Sequence, residues 1–199
     1  MKTFGLTGGI GMGKSAAAQW LQSRGIAVVD TDELARDIVE PGQPALRELQ
    51  REFGSGVIGQ DGRLRRDELA RIVFADELAR KKLEAILHPR IRELWQARLQ
   101  TWRAGNKPMA VVVIPLLFET GAEKDFEAVL CVACSAQTQR ERLKARGWSD
   151  DEISRRNAAQ MSVTQKMERS DHVLWSEGGL DVLHDQLERI LFSGKTKGS

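Results

Sequence analysis

A glycine-rich segment near the N-terminus ends in a lysine and a hydroxyl residue. It runs from Gly8 to Ser15 and reads GGIGMGKS, which satisfies the pattern G-x-x-x-x-G-K-[ST]. Glycines at these spacings let the backbone turn its N–H groups inward around phosphate oxygens. Lys14 adds a positive charge near the β- and γ-phosphates, and the Ser15 hydroxyl is a ligand for Mg²⁺. Because an apolar segment precedes the pattern and a helical one follows it, we predict a nucleoside triphosphate site.

Two carboxylates, Asp30 and Asp32, follow the apolar segment IAVVD at residues 26–30. Such acids can order the water molecules around Mg²⁺ and can accept a proton from an attacking hydroxyl group. We expect the end of this strand to neighbour the glycine-rich segment. In the alternative interpretation, Asp30 only ends a strand and Asp32 only caps the next helix.

A basic segment in the last third of the chain also has two interpretations. Its cations are Arg140, Arg142, Lys144, Arg146, Arg155 and Arg156. Arg142 and Arg146 are four residues apart and therefore share one helical face. In small-molecule kinases, arginines on a closing lid neutralise charge as the γ-phosphoryl group moves. A solvated helix face paired with Asp150, Asp151 and Glu152 would show the same pattern.

Strand and helix patterns alternate along the chain, which predicts an α/β fold with a doubly wound parallel sheet of about five strands. The predicted strands are residues 2–7, 26–30, 109–114, 128–133 and 172–175. Between the second and third strands, residues 32–103 have a helical pattern with breaks at residues 41–42, 54–62 and 88–89. Residues 180–192 form a last amphipathic helix, with Leu180 on its apolar face.

The composition is that of an ordinary globular protein and excludes several classes. The chain has 199 residues, of which 41% are hydrophobic and 29% charged, and its net charge is only +2. This balance argues against a nucleic-acid-binding protein, and no apolar run is long enough to span a membrane. The two cysteines, Cys131 and Cys134, cannot form a disulfide framework, so we expect buried thiols and a cytoplasmic protein. No obligate protein partner is evident.

Six motifs together resemble the dephospho-coenzyme A kinase family. In chain order they are GLTGGIGMGKS, VVDTDELAR, LHPRI, IPLLFE, RNAAQ and SDHVLWSEGG. They occur in order over most of the chain, and as a set they are far more specific than the glycine-rich segment alone. The resemblance implies a P-loop kinase core with a helical substrate-binding insertion and an arginine-bearing lid. It also implies ATP-dependent phosphorylation of the 3′-hydroxyl of dephospho-CoA, which gives CoA and ADP in the last step of coenzyme A biosynthesis.

The resemblance further implies roles for individual residues. The ATP-binding residues are Gly9, Ile10, Gly11, Met12, Gly13, Lys14, Ser15 and Ala16. Ser15 is also the ligand of Mg²⁺, the cofactor that accompanies ATP. The catalytic residues are Asp32, Lys14, Arg142 and Arg146, with Asp30 as the alternative to Asp32 for the base. The acceptor-binding residues are Asp32, His88 and Leu117. His88 has an alternative interpretation as a helix-end residue before a proline that starts the next helix.

In this interpretation residues 1–199 form a single P-loop kinase domain. Its nucleotide-binding core comprises residues 1–31, 105–139 and 170–193, its acceptor-binding region 32–104, its lid 140–169 and its disordered tail 194–199. The expected ligands are ATP and dephospho-CoA, with no nucleic acid and no membrane. A kinase for another hydroxyl acceptor and a P-loop protein without transfer chemistry are the alternatives. Ser176 stands where the family often has Asn near the adenine edge, which leaves base recognition to backbone groups.

Overall fold

The computed structural model describes residues 1–192, and its centre is a five-stranded sheet. The strands are β1 (Lys2–Gly8), β2 (Ala27–Asp30), β3 (Met109–Val113), β4 (Ala128–Ala133) and β5 (His172–Trp175). Their order across the sheet is β2-β3-β1-β4-β5. β1 pairs in parallel with β3 and with β4, and β4 pairs in parallel with β5. The predicted α/β class and five-stranded sheet are therefore confirmed within the described residues.

α-Helices connect the strands in the described part of the chain, except between β3 and β4. They are α1 (Lys14–Ser23), α2 (Thr31–Asp37), α3 (Pro44–Phe53), α4 (Arg66–Ala75), α5 (Glu77–Ala104), α6 (Ala136–Ala145), α7 (Asp150–Ala158), α8 (Val163–Arg169) and α9 (Leu180–Phe192). Short 3₁₀ turns lie at Ser55–Val57 and Ala122–Asp125. The helices α2 to α5 fall between β2 and β3, where the sequence predicts a long helical insertion.

Burial explains why β3 lies in the interior of the sheet. All five residues of β3 are buried, whereas β2 has one buried residue among four. A strand covered on both faces suits the interior of a sheet, and a short, partly exposed strand suits its edge. β3 therefore lies between β1 and β2. β3 thus separates β1, which leads into the glycine-rich segment, from β2, which leads into the acid pair.

The chain forms two compact units, each with a hydrophobic core of its own. One unit consists of residues 1–29 and the chain from residue 102 onward, and the other of residues 30–101. In the first unit, the sheet packs against α1 and α9 in a cluster that includes the fully buried Leu187. The second unit has a separate cluster around the fully buried Leu49. Burying one leucine contributes roughly 1.5–3 kcal/mol, so each cluster stabilises its own unit.

The longest helix of the second unit contains a proline. α5 continues through Pro89 without interruption, so the break predicted at residues 88–89 is wrong. A proline removes one hydrogen bond from the helix and crowds the preceding turn. Here the Arg90 guanidinium donates to the Ile86 carbonyl in that turn and to Glu48 on α3, both at 2.5 Å. Arg90 thereby stabilises the turn that the proline weakens.

Two further expectations concern the C-terminal end of the chain. α9 has the predicted bounds, but Leu180 is 62% exposed, and the buried face consists of Leu183, Leu187 and Leu191. The predicted disordered tail, residues 194–199, lies outside the described residues. Within residues 1–192, no helix is long and apolar enough to cross a membrane.

Candidate active site

The glycine-rich segment forms a phosphate-binding loop, or P-loop, between β1 and α1. Gly8, Gly11 and Gly13 have positive φ angles of 144°, 73° and 101°. A Cβ atom at Gly8 would lie 2.1 Å from the carbonyl oxygen of Val132, so only glycine fits there. α1 begins at Lys14, directly after the loop. The loop therefore has the backbone conformation that its spacing predicts.

The Lys14 ammonium group lies within the P-loop. Its Nζ donates to the carbonyl oxygens of Gly8 and Gly9 at 2.8 and 2.9 Å. These bonds hold the charge near the start of α1, where the helix dipole and the first N–H groups also favour an anion. Ser15 follows in the first turn of α1 with an exposed side chain. The loop thus combines a cation, the first N–H groups of a helix and a hydroxyl oxygen.

A cleft of about 210 Å³ opens beside the P-loop within the first unit. The P-loop with the start of α1, the end of α6, and the loop after β5 with the start of α9 form it. The lining residues include Gly11, Gly13, Arg142, Arg146, Ser176 and Gly178. A concave site with a phosphate-binding loop at one side and a guanidinium group in its wall suits the nucleoside part of a nucleotide.

Hydrogen bonds connect the wall of this cleft to the P-loop. Arg142 donates through Nη1 to the Ser176 hydroxyl at 3.0 Å and through Nη2 to the Ser176 carbonyl at 2.5 Å. The Ser176 hydroxyl in turn donates to the Met12 carbonyl at 2.7 Å. Ser176 is only 6% exposed, so these bonds are shielded from water and hold the Arg142 side chain in the wall.

A second connection joins the P-loop to α7. Gln139 on α6 is 6% exposed and donates through Nε2 to the Ile10 carbonyl at 2.8 Å and to Asn157 Oδ1 at 3.2 Å. Asn157 Nδ2 donates back to Gln139 Oε1 at 3.3 Å, so the two amides form a reciprocal pair. Because α7 belongs to the predicted lid, this pair couples a lid helix to the backbone of the P-loop.

Glu177, directly after Ser176, anchors the loop after β5 to the start of α6. Its carboxylate accepts hydrogen bonds from the Ser135 N–H at 2.8 Å, the Thr138 hydroxyl at 3.0 Å and the Trp175 indole N–H at 3.0 Å. Hydrogen bonding from Ser135, and then from Thr138 and Trp175, lowers the pKa of Glu177 from 4.5 to about 2. An ionised carboxylate therefore holds this loop at neutral pH.

A buried lysine lies at the carboxyl ends of two central strands. Lys166 on α8 is fully buried, and its Nζ donates to the Pro115 carbonyl at 2.6 Å and to Glu119 at 2.9 Å. Thr7, near the end of β1, donates its hydroxyl to the same Pro115 carbonyl at 3.2 Å. The two central strands that meet at this carbonyl are β1, which leads into the P-loop, and β3.

The two acids after β2 have different roles in the second unit. Asp30 is the N-cap of α2, and its Oδ1 accepts the N–H of Asp32 at 2.8 Å. Asp32 lies in the first turn of α2 with an exposed side chain. The capping function therefore falls to Asp30, not to Asp32 as the alternative interpretation has it.

The predicted acceptor-binding residues lie in different surroundings. His88 is half-buried on α5, and burial lowers the pKa of His88 although the charge of Glu84 acts in the opposite direction. Because α5 is continuous, the interpretation of His88 as a helix-end residue is wrong. The Leu117 side chain is fully buried, so its backbone is the part that can contact a ligand.

The four cations of the basic segment at residues 140–146 fall into two groups. Arg140 and Lys144 both bind Asp150, at 2.6 and 3.1 Å, on the exposed surface of α6 and α7. This is the solvated face that the alternative interpretation describes. Arg142 and Arg146 instead line the cleft beside the P-loop, and Arg146 is exposed at the C-cap of α6.

Sequence reasoning does not identify Gln139, Lys166 or Glu177. Each is a polar residue whose partner is distant in the sequence, by 129, 51 and 42 positions respectively. A local signal exists only for Lys166, since it lies between Val163 and Met167, apolar residues of the same short helix. Such a position favours partial burial of a lysine stem, but not of its ammonium group.

Known proteins resemble this chain over nearly its full length. A family model for dephospho-CoA kinase matches residues 2–181. A dephospho-CoA kinase from Bdellovibrio bacteriovorus is 40% identical over 191 residues, which are 96% of this chain and 95% of that protein. The crystal structure of TT1252 from Thermus thermophilus is 38% identical with a TM-score of 0.84, covering 99% of this chain and 98% of that one. The dephospho-CoA kinase from Campylobacter jejuni shares the fold, with 23% identity, a TM-score of 0.71 and coverage of 98% and 100%.

The matched region contains the features that the structure brings together. It includes the P-loop, the acids Asp30 and Asp32, the arginines of α6, and Ser176 in the wall of the cleft. The identity of about two residues in five to the Bdellovibrio kinase extends over the helical unit as well as the sheet. The resemblance indicated by the six motifs is confirmed, and the chain belongs to the dephospho-CoA kinase family.

Proposed function

We propose that Lys14 and the P-loop hold the phosphates of ATP while Asp32 receives the proton of the 3′-hydroxyl of dephospho-CoA. The overall reaction follows from the family: the chain is a kinase that phosphorylates dephospho-CoA with ATP in coenzyme A biosynthesis. One observation carries the proposal for the donor site. The Lys14 ammonium lies 2.8 and 2.9 Å from two carbonyls of a P-loop that opens on a cleft of about 210 Å³.

The donor site works by position and charge. Backbone N–H groups from Gly9 to Ala16 surround the phosphates, and the cleft takes the nucleoside. Phosphoryl transfer passes through a loose transition state, so catalysis consists mainly of orienting the groups and neutralising their charge. Lys14 supplies charge from the loop, Arg142 from the wall, and the exposed Arg146 from the end of α6.

Mg²⁺ is the proposed cofactor, and the donor set of this site suits it. The described residues contain no group of three or more His, Cys, Asp or Glu side chains that would hold a metal ion alone. A magnesium ion usually keeps several waters and binds substrate phosphates, so it needs only one or two protein oxygens. The Ser15 hydroxyl would supply one, and the bound ion would neutralise phosphate charge.

On the acceptor side, Asp32 is assigned as the base because Asp30 already serves as a cap. A hydroxyl has a high pKa, so it must lose its proton as its oxygen bonds to phosphorus. Asp32 takes that proton, the new O–P bond forms, and the bond from the γ-phosphorus to its bridging oxygen breaks and leaves ADP. His88, the backbone at Leu117 and the helical region 32–104 bind the acceptor. Residues 140–169 close over the phosphates.

A first experiment tests the acceptor. The purified chain is incubated with ATP, Mg²⁺ and, separately, dephospho-CoA, a nucleoside monophosphate or no acceptor, and ADP is measured. We expect ADP in stoichiometric amount with CoA, and only with dephospho-CoA. ADP formed with the nucleoside monophosphate would favour a different hydroxyl acceptor, and ADP formation independent of acceptor would favour a P-loop protein without transfer chemistry.

A second experiment tests the base by comparing Asp32→Asn with Asp30→Asn. Asparagine is as good an N-cap as aspartate, so both variants should fold. Loss of a general base costs roughly 10²- to 10⁴-fold, and we expect that loss in single-turnover transfer by Asp32→Asn, with ATP binding retained. Asp30→Asn should keep most of the activity. The opposite pattern would assign the base to Asp30.

A cytoplasmic location is also proposed. Cys131 and Cys134 are free thiols in and after β4, and both are buried. Burial raises the pKa of Cys131 to about 11, so the thiol stays protonated and unreactive at neutral pH. Two unoxidised cysteines close together in sequence accord with a reducing compartment.

A further inference from the structure

Lys166 is a fully buried charge that the proposed chemistry does not use. Its side chain has no exposed surface, and it lies on α8, outside the P-loop and outside the lining of the cleft. Lysine is almost never fully buried unless it is paired. An apolar residue of similar volume would avoid the cost of removing an ammonium group from water. The contacts of the Lys166 ammonium group therefore indicate what its charge does.

The contacts of Lys166 converge on the carboxyl ends of β1 and β3. Its Nζ donates at 2.6 Å to the carbonyl of Pro115, which follows β3, and Thr7 of β1 donates to the same oxygen at 3.2 Å. Its second acceptor, Glu119 at 2.9 Å, also accepts the Met161 N–H at 2.8 Å. One ammonium group therefore connects both strand ends with the segment between α7 and α8.

The apolar residues of α8 pack against a cluster that includes one residue of the P-loop. Met12 of the loop is 2% exposed and belongs to a cluster with Ala133 and Cys134 at the end of β4. Val163 and Met167 of α8 pack against this cluster. α8 is therefore connected to the P-loop through the apolar cluster that contains Met12, and to the adjoining strand ends through the ammonium group.

From these two sets of contacts we infer that Lys166 is a positioning residue for phosphoryl transfer. It fixes the ends of β1 and β3 relative to α8, and so determines the position of the P-loop that follows β1 and of the segment that follows β3. The inference rests on the proposed function of the P-loop. It extends that function to a residue outside the P-loop and outside the lining of the cleft.

A positioning role and a purely structural role predict different kinetics. A purely structural lysine would affect the stability of the fold and leave the turnover of folded molecules unchanged. A positioning lysine affects kcat, because a displacement of about 1 Å in a catalytic site can lower the rate by about 100-fold. ATP affinity should change less, since it is spread over many backbone N–H groups of the loop.

The experiment compares Lys166→Met with the double variant Lys166→Met/Glu119→Gln. The single variant leaves the Glu119 carboxylate without its buried cation, which lowers Tm. The double variant removes that uncompensated charge and keeps an acceptor for Met161, so Tm should largely recover, while the Pro115 anchor stays lost. We expect kcat to fall at least about tenfold in both variants, with the Kd for ATP within about threefold of the parental value.

The matched control is Leu187→Ala, which truncates a fully buried side chain of α9 and lowers Tm without altering α8. Its kcat per folded molecule should equal the parental kcat. A double variant with parental kcat, or an equal loss of kcat in Leu187→Ala at equal Tm, would overturn the role of Lys166. Absence of transfer by the parental chain would instead refute the proposed function, so the two failures are distinguishable.

Discussion

Ser176 provides a direct test of whether the wall of the nucleotide cleft and the P-loop act together. The substitution Ser176→Ala removes a hydroxyl that donates to the Met12 carbonyl at 2.7 Å and accepts from Arg142 at 3.0 Å. The bond from Arg142 to the Ser176 carbonyl remains, because it involves the backbone. The perturbation is therefore confined to two hydrogen bonds.

The expected magnitude follows from the burial of Ser176. A net hydrogen bond contributes about 0.5–1.5 kcal/mol, and one to a charged group about 1.5–3 kcal/mol. Since Ser176 is only 6% exposed, water does not replace the lost partners, and we expect the free energy of unfolding to fall by about 2–3 kcal/mol. If about 1.4 kcal/mol of this lost free energy also weakens nucleotide binding, the affinity for ATP falls about tenfold.

The assay pairs urea unfolding with calorimetric titration of ATP and ADP. The control is Ser23→Ala, which also removes a hydroxyl bonded to a carbonyl at 2.7 Å, that of Trp20, but at the end of α1 and outside the cleft. Because the Ser23 side chain is exposed, Ser23→Ala should change stability little and should keep its ATP affinity. If Ser176→Ala loses stability yet binds ATP as the parental chain does, the wall and the P-loop are energetically independent. A double-mutant cycle with Arg142→Met then measures their coupling directly.

Three further predictions concern Lys14, Glu177 and His88. Lys14→Ala should raise the Kd for ATP by roughly 10- to 150-fold, because a hydrogen bond to a charged group contributes about 1.5–3 kcal/mol. The urea midpoint should change little. Near-parental turnover at subsaturating ATP would contradict the P-loop assignment. Because the pKa of Glu177 is lowered to about 2, its carboxylate stabilises the fold fully above pH 4.5 and loses this effect as pH falls through 2. The gap in urea midpoint between the parental chain and Glu177→Gln should accordingly be widest at pH 7 and shrink below pH 4.5. Burial lowers the pKa of His88, so its neutral form favours the fold above pH 6.5, and protonation of the unfolded chain reduces stability as pH falls below that value. His88→Gln should weaken this dependence of stability on pH. If the variant and the parental chain show identical profiles of urea midpoint between pH 7.5 and 5.5, a contribution from His88 is excluded.

The P-loop could be predicted because its information is local. The residues from Gly8 to Ser15 are contiguous, and the structure gives Gly8, Gly11 and Gly13 the positive φ angles that such a loop requires. The strands were predictable for a related reason. A run of apolar residues such as MAVVV, at Met109–Val113, is typical of a strand that is buried on both faces inside a sheet.

Strand order and the buried polar contacts could not be predicted, because they depend on distant parts of the chain. The Ser176 hydroxyl bonds a carbonyl 164 positions away, and Gln139 bonds one 129 positions away. Beside Pro89 in the continuous helix α5, Arg90 likewise bonds Glu48, which lies 42 positions before it. A single sequence does not specify which distant residues become hydrogen-bond partners in the fold.

The division of the chain into two units makes donor and acceptor functions separable by experiment. Lys14, Arg142 and Ser176 belong to the unit that contains the sheet, whereas Asp32 and His88 belong to residues 30–101. Lys14 donates to Gly8 and Gly9, Gln139 to Ile10 and Ser176 to Met12, and these bonds lie within the first unit. We expect changes to Asp32 or His88 to leave ATP affinity intact and to act on the transfer step or on acceptor binding. A large loss of ATP affinity in Asp32→Asn would mean that the acid contributes to the donor site, and its assignment as the base would then need a second line of support.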